Sequence, residues 1–407
     1  MAWRPHDTSL LFAARFVRLF AYGALSVVLV FYLIAAGLSE YQTGVLLSLT
    51  LLGDTVVSLV ITTRADRLGR RRMLLVGAVL MAAAGVVFSL TTSFWLLLLA
   101  ATIGVISPSG QEVGPFLPIE QAMLAHSTTG RDRTEVFARY TLIGALATAV
   151  GALAGGLLAQ AFEGTSTPMG SYRAVVILYA GLGALLATIF WALPSDATGD
   201  RTVKNGARGT IANFSGIDRS LPVVMKLSAL FGLDAFGGGF IAQSFAAYWF
   251  HLRFGIDPAL LGPIFFAANV LAGFSALVAS RLAARFGLVR TMVWTHLPSN
   301  VLLILIPLMP TLSLAVTLLL VRFSISQMDV PTRQSYVMAV VAPDERAAAG
   351  GITGMARTLG AAISPLFVGV MFAHPSMISV PFFLAGSLKI LYDLLLYRQF
   401  VGTQQAR

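Results

Sequence analysis

The chain reads as an all-α membrane protein with 12 transmembrane helices in two pseudo-symmetric six-helix bundles, and three observations point there. First, 57% of its 407 residues are hydrophobic and only 11% are charged, whereas soluble domains carry roughly 25% charged residues. Mean hydropathy is +0.81, and at roughly 20 residues per bilayer crossing plus a short loop the length accommodates about twelve crossings. Second, Arg64-Ala65-Asp66-Arg67-Leu68-Gly69-Arg70-Arg71-Arg72 is a knot of charge between two apolar runs of spanning length. Third, features of one half recur in the other at a near-constant offset. Arg18-x-Phe20 matches Asp234-x-Phe236, Arg67-Leu68-Gly69 matches Arg285-Phe286-Gly287, Ser107-x-Ser109-x-x-Glu112 matches Ser324-x-Ser326-x-x-Asp329, and Gly151-Ala152 matches Gly360-Ala361.

The expected spans are 9–36, 41–63, 73–91, 94–124, 133–161 and 172–193, then 222–252, 258–280, 291–309, 312–340, 345–373 and 378–399. The first is an apolar run that contains Arg15 and Arg18; it lacks the cleavage site of a secretory signal and is expected to be retained. The second carries Asp54. The arginine knot separates it from the third, and five arginines in one short loop are costly to translocate, which pins that loop to the cytoplasm. The fourth holds Gln111, Glu112 and Glu120 amid Pro108, Pro115 and Pro118. Arg139 lies near the cytoplasmic end of the fifth, whose Gly151-Ala152-Leu153-Ala154-Gly155-Gly156 permits close helix approach. The sixth ends the first bundle, 1–194, and the polar stretch 195–221 is a cytoplasmic linker without apolar periodicity. The second bundle, 222–407, opens with Asp234 ahead of Gly237-Gly238-Gly239, a break in the seventh span. Asn269 falls in the eighth span, Asn300 in the ninth, Arg322, Asp329 and Arg333 in the tenth, Arg357 in the eleventh, and Lys389 and Asp393 in the twelfth.

A net charge of +10 raises the possibility of a nucleic-acid surface, and the positions of the basic residues exclude it. Loops placed inside hold Arg64, Arg67, Arg70, Arg71, Arg72, Arg131, Arg133, Arg201, Lys204, Arg208, Arg219, Arg281, Arg285, Arg290 and Arg346, against Arg173 and Arg253 outside. The asymmetry is topology, with both termini cytoplasmic. With no cysteine, and with His6, His126, His251, His296 and His374 never at ligand spacing, neither thiol chemistry nor a metal site is expected. No phosphate-binding glycine loop and no Ser/His/Asp set is present, so neither cofactor nor enzyme activity is expected.

Asp66-Arg67-Leu68-Gly69-Arg70-Arg71-Arg72 resembles the loop 2–3 signature of the major facilitator superfamily of secondary transporters, and the resemblance covers essentially the whole chain. It implies alternating access about a midplane site. It also implies that Asp66 latches the cytoplasmic side with Arg67 and Arg70 in support, while Gly69 permits the tight turn. The fifth-span glycines resemble the antiporter signature, with Ala152 in place of its proline. Two departures are Thr62, where the family usually has glycine, and a fourth span without the arginine common in proton antiporters. The expectation is therefore a monomeric secondary active transporter of a small organic solute in the cell (inner) membrane, by proton-coupled efflux (antiport). Proton-linked uptake of an anionic metabolite is the alternative, and a non-transporting receptor is more remote because the linker and tail offer no output domain.

An ionisable side chain at bilayer depth costs roughly 2.5–3.5 kcal/mol, so each is expected to face a partner or a wet cavity. Arg18, Tyr22, Asp234, Gln243, Asn269 and Arg322 are assigned to the substrate path, with an Arg18–Asp234 latch between halves as the other reading of that pair. Glu112, Asp329 and Asp54 are assigned to proton coupling. Asp329 alternatively pairs with Arg333 or Arg322, and Asp54 with an arginine of another helix. Arg357 and Arg139 snorkel or pair at a gate. Asn300 and Tyr248 line the path or make helix–helix hydrogen bonds, and Lys389 and Asp393, four apart, read as an internal pair.

Overall fold

The computed structural model of the chain describes residues 5–127, 130–163, 167–194, 219–342 and 345–401. Among them, eleven helical segments have the length and hydropathy to cross a bilayer, and Phe94–Ile103 is a shorter apolar helix. The described residues form two compact units: Met1–Ala207 with Gln243–His251 and Gly255–Phe266, and Arg208–Ala242 with Leu252–Phe254 and Ala267–Arg407.

The first unit contains α1 (Pro5–Ala35), α2 (Glu40–Leu68), α3 (Arg70–Leu90), α4 (Phe94–Ile103), α5 (Phe116–Ser127), α6 (Gly130–Ala161) and α7 (Pro168–Ala192). Helix α1 is largely buried, with Leu11, Arg18, Tyr22, Val27 and Tyr32 fully so. Its neighbour α6 approaches through glycine: a Cβ at Gly151 would lie 2.1 Å from the Phe20 carbonyl oxygen, and one at Gly155 would lie 2.4 Å from that of Ala24. Backbones this close gain dispersion contact that lipid cannot replace.

The expected fourth span, 94–124, is not one helix. It is α4 and α5 with a non-helical stretch, 104–115, between them. Pro108 and Pro115 lack an N–H, and Gly110 and Gly114 sit at φ +68° and +83°. Unwound backbone survives at membrane depth only where protein satisfies it. Here Ser107 Oγ donates to Gln111 O at 2.7 Å, Thr148 Oγ1 to Gly110 O at 3.3 Å, and the Ser244 N–H to Pro108 O at 3.1 Å.

The second unit is built from α8 (Leu221–Gly239), α11 (Leu288–Leu305), α12 (Leu312–Ser326), α13 (Asp329–Val340), α14 (Arg346–Phe372) and α15 (Val380–Phe400). Helices α9 (Gln243–Phe254) and α10 (Pro258–Phe286) contribute to both units. The expected seventh span ends at the glycine triplet and restarts at Gln243. The tenth likewise breaks between Ser326 and Asp329, just ahead of Pro331 in the first turn of α13. Val224, Leu227, Phe231, Tyr336, Tyr392 and Leu396 pack one core from α8, α13 and α15. The repeat is visible in the backbone. Gly69 turns α2 into α3 at φ +98°, and Gly287 turns α10 into α11 at φ +85°. A Cβ at Gly360, the counterpart of Gly151, would lie 2.3 Å from Gly232 O. Trp95, Trp191 and Trp294 are 74%, 71% and 68% exposed, an apolar exterior suited to lipid.

Candidate functional site

Charge in the first unit gathers around Arg18 of α1, which has no exposed surface. Its terminal nitrogens donate to both oxygens of Glu120 on α5 at 2.8 and 2.7 Å, the fork that guanidinium and carboxylate favour. Its Nε donates to Glu112 at 2.9 Å, and Arg15 donates to the other Glu112 oxygen. Tyr140 of α6 donates to Glu120 and lies under the Arg15 guanidinium, 4.5 Å from ring centre to cation. Glu112 sits in the unwound stretch of the fourth span, close enough to α1 to complete the cluster. Two cations and two carboxylates balance.

The second unit has the same hub with the signs reversed. Asp234 of α8 stands at the repeat position of Arg18. Its Oδ1 accepts from Lys389 Nζ at 2.6 Å and faces His296 Nε2 at 3.7 Å, while Oδ2 accepts from Arg333 at 2.9 Å and Arg357 at 3.2 Å. Arg333 also pairs with Asp329, one turn away on α13, at 3.1 Å. Behind them His296 and Asn300 hold Asp393 at 2.9 and 3.0 Å. Three carboxylates, Asp234, Asp329 and Asp393, and three cations, Arg333, Arg357 and Lys389, share the hub, with His296 between Asp234 and Asp393.

This arrangement corrects two readings from sequence. Lys389 does not pair with Asp393: their spacing puts them on one helix face, but Asp393 is already held by two donors of α11 and Lys389 turns to Asp234. Arg18 and Asp234, read from sequence also as a latch, each spend their charge within their own unit, Arg18 on Glu112 and Glu120 and Asp234 on its three cations.

Two buried charges fall outside the balance. Asp54 of α2 is 6% exposed; its Oδ2 accepts the Gly114 N–H at 3.1 Å, its Oδ1 has no partner, and no cation pairs with it among the described residues. Arg322 of α12 is 9% exposed and makes no hydrogen bond or ion pair among the described residues.

Of the other assigned residues, Tyr22 is fully buried, stacks on Tyr179 at 6.5 Å and donates to Val113 O at 3.4 Å. Gln243 Nε2 donates to Ser26 Oγ at 2.8 Å, Tyr248 donates to Glu40 at 3.3 Å, and Asn269 is buried on α10. At the arginine knot the Asp66 side chain lies outside the described residues, Arg67 is exposed and Arg70 half-buried. Arg71, read from sequence only as part of the cytoplasmic charge knot, reaches the end of α7, where it donates to Trp191 O and covers the Trp191 ring. Glu120, Tyr140, His296 and Lys389 were also given no site role from sequence. His296 and Asn300, four apart in an otherwise apolar span, were the legible signal for one of them.

A polytopic helical protein with an apolar exterior, spans whose features recur from one half to the other and ionic hubs at membrane depth has the build of a secondary transporter. The Major Facilitator Superfamily model matches residues 11–365, and the chain belongs to that family. It is 32% identical to YJR124C, an uncharacterized membrane protein of Saccharomyces cerevisiae, over 97% of this chain and 94% of that one. A point mutant of the nucleoside transporter NupG, solved by crystallography, superposes with a TM-score of 0.79 at 14% identity, covering 97% of this chain and all of that one. A bacterial homolog of the human lysosomal transporter Spinster, inward-facing and occupied, superposes with a TM-score of 0.75 at 16% identity over 98% of each chain. The protein is a multi-pass membrane transporter and not an enzyme.

Proposed function

We propose that this chain is a proton-coupled secondary transporter of a small organic solute, working by alternating access, in which Asp54 takes up and returns the proton. The observation that carries this reading is the company each membrane carboxylate keeps. Protonating Glu112 would strand Arg15 and cost Arg18 one of its two acids, and protonating Asp329 would deprive Arg333 of one partner. Protonating Asp54 strands no cation, because none holds it among the described residues.

The same group is wired to a movable part. A charge-assisted hydrogen bond is roughly twice as strong as a neutral one, so a proton on Asp54 loosens its grip on the Gly114 N–H. The stretch 104–115 that Gly114 belongs to also carries Glu112 to the Arg18 hub and, through Pro108 O, holds the Ser244 N–H at the start of α9. Proton occupancy at one carboxylate thereby bears on several contacts of the unwound span.

We read the direction as efflux by antiport, solute leaving as protons enter, supported by the close-packed Gly151, Gly155 and Gly156 that resemble the antiporter signature. Uptake of an anionic metabolite with protons is the second reading, and the unpaired Arg322 favours it. We read the protein as a monomer in the cell membrane; the arginine-rich loops support cytoplasmic termini.

The test is flux in proteoliposomes under an imposed pH gradient, acid outside, with a panel of organic anions, cations, nucleosides and sugars. Antiport expels preloaded solute and symport accumulates external solute. Asp54→Asn keeps a carbonyl acceptor for Gly114 but cannot titrate, so gradient-driven solute movement is lost while downhill solute exchange persists. Gradient-driven flux at the wild-type rate in Asp54→Asn refutes the assignment.

A further inference from the structure

We propose that Arg322 and Ser326 form an anion-binding site in the second unit, so that the transported solute carries a carboxylate or a phosphate. The inference deepens the transport reading above and rests on it. The four other buried cations, Arg15, Arg18, Arg333 and Lys389, each hold a carboxylate within hydrogen-bond distance. Arg322 holds none, although Asp234 and Asp329 are within electrostatic range. Those two acids are already committed to Arg333, Arg357 and Lys389, which leaves Arg322 as the cation in excess.

A second orphan lies beside it. Ser326 is one helical turn beyond Arg322, so the two side chains share a face of α12. Its hydroxyl is buried and has no hydrogen-bond partner. A guanidinium offers up to five N–H donors in a planar fork, and a hydroxyl adds one more. A carboxylate or phosphate accepts from both kinds at once and balances the charge, whereas a neutral or cationic group leaves the guanidinium charge uncompensated.

Position fits a solute site. Arg322 is ten residues into α12, about 15 Å along the helix axis from its start, which is near the middle of a bilayer about 30 Å thick. The helix ends at Ser326, so the two donors sit at the break in the tenth span. Arg357, within electrostatic range of the same Asp234 and Asp329, has a side chain 36% exposed and marks an open edge of the cluster. An unpaired buried charge lowers stability, and an anion brought by the solute restores the missing partner.

The test uses the purified full chain in detergent and four probes on one ring: benzoate, phenyl phosphate, benzamide and benzylamine. In wild type, benzoate or phenyl phosphate raises the unfolding temperature, and the neutral and cationic analogues do not. Arg322→Gln weakens the anion response by about tenfold or more, the factor for a hydrogen bond to a charged group. Arg322→Lys retains part of it, and Ser326→Ala loses less. Without probe, Arg322→Gln unfolds at or above the wild-type temperature, because a buried charge is removed and no hydrogen bond or ion pair among the described residues is lost. The proposal is overturned by an anion response that survives Arg322→Gln, by equal responses to benzamide or benzylamine, by no anion response in wild type, or by a probe-free Arg322→Gln that unfolds well below wild type. Asp54→Asn keeps the anion response at fixed pH, so a failure of proton coupling and a failure of this site are distinguished.

Discussion

Replacing Asp234 by Asn removes one charge and leaves three cations facing each other, Lys389 and Arg333 buried and Arg357 partly so. The carboxylate receives Lys389 at 2.6 Å, Arg333 at 2.9 Å and Arg357 at 3.2 Å, and of these Arg333 alone keeps a second acid, Asp329 at 3.1 Å. At an effective dielectric of about 20, each contact is worth roughly 5–6 kcal/mol of gross attraction, most of it offset by desolvation. The net loss on breaking a buried pair from one side is about 3–5 kcal/mol. For a unit of this size, that lowers Tm by about 6–20 °C. The assay is thermal unfolding of the purified protein in detergent, followed for wild type, Asp234→Asn, Lys389→Met and the double variant. Removing Lys389 along with the acid relieves part of the repulsion, so the double variant falls short of the summed single losses by about 0.5–3 kcal/mol, the usual coupling of residues in one network. An Asp234→Asn protein that unfolds at the wild-type temperature, or strictly additive variants, would refute the claim that the hub holds the second unit together.

Gly151→Ala places its Cβ 2.1 Å from the Phe20 carbonyl oxygen, a distance backbone cannot accept. Separating α1 from α6 costs at least about 1–3 kcal/mol, and Gly151→Val reduces the yield of monodisperse protein further, read by size exclusion. Glu345 accepts the Arg219 and Ser220 N–H groups at 3.1 and 3.0 Å where α8 begins. Its replacement by Ala leaves helix-start donors open and lowers stability by about 1–2 kcal/mol, a loss Gln recovers only in part because it keeps one of the two acceptor oxygens, measured as Tm. These join the flux prediction for Asp54→Asn and the anion-response prediction for Arg322→Gln.

The spans and the membrane-depth charges were legible because each depends on local sequence: apolar run length, and a charge that interrupts it. Partners were not legible, because they lie far apart in the chain. Lys389 has an acid four residues away and chooses one 155 residues away instead. Glu120 stood in plain view in the fourth span, but its bidentate hold on Arg18 depends on how the chain unwinds between Gly104 and Pro115. The glycine triplet reads from sequence as the break in the seventh span, whereas the fourth reads as one span despite its prolines. In the tenth, Pro331 alone marked the break, in a stretch that otherwise reads as one apolar run. Arg322 illustrates the converse: sequence identified a buried cation, and only the geometry shows that it is left over.

The inverted hubs have a consequence for biosynthesis. As helices leave the insertion machinery one by one, each must find its own bundle among a dozen similar apolar rods. A newly inserted α1 that strayed into the place of α8 would bring a guanidinium to a nest of three cations, and α8 in the place of α1 would set a carboxylate against two glutamates. Opposite polarity thus works as a sorting label, keeping two halves of common architecture from exchanging parts.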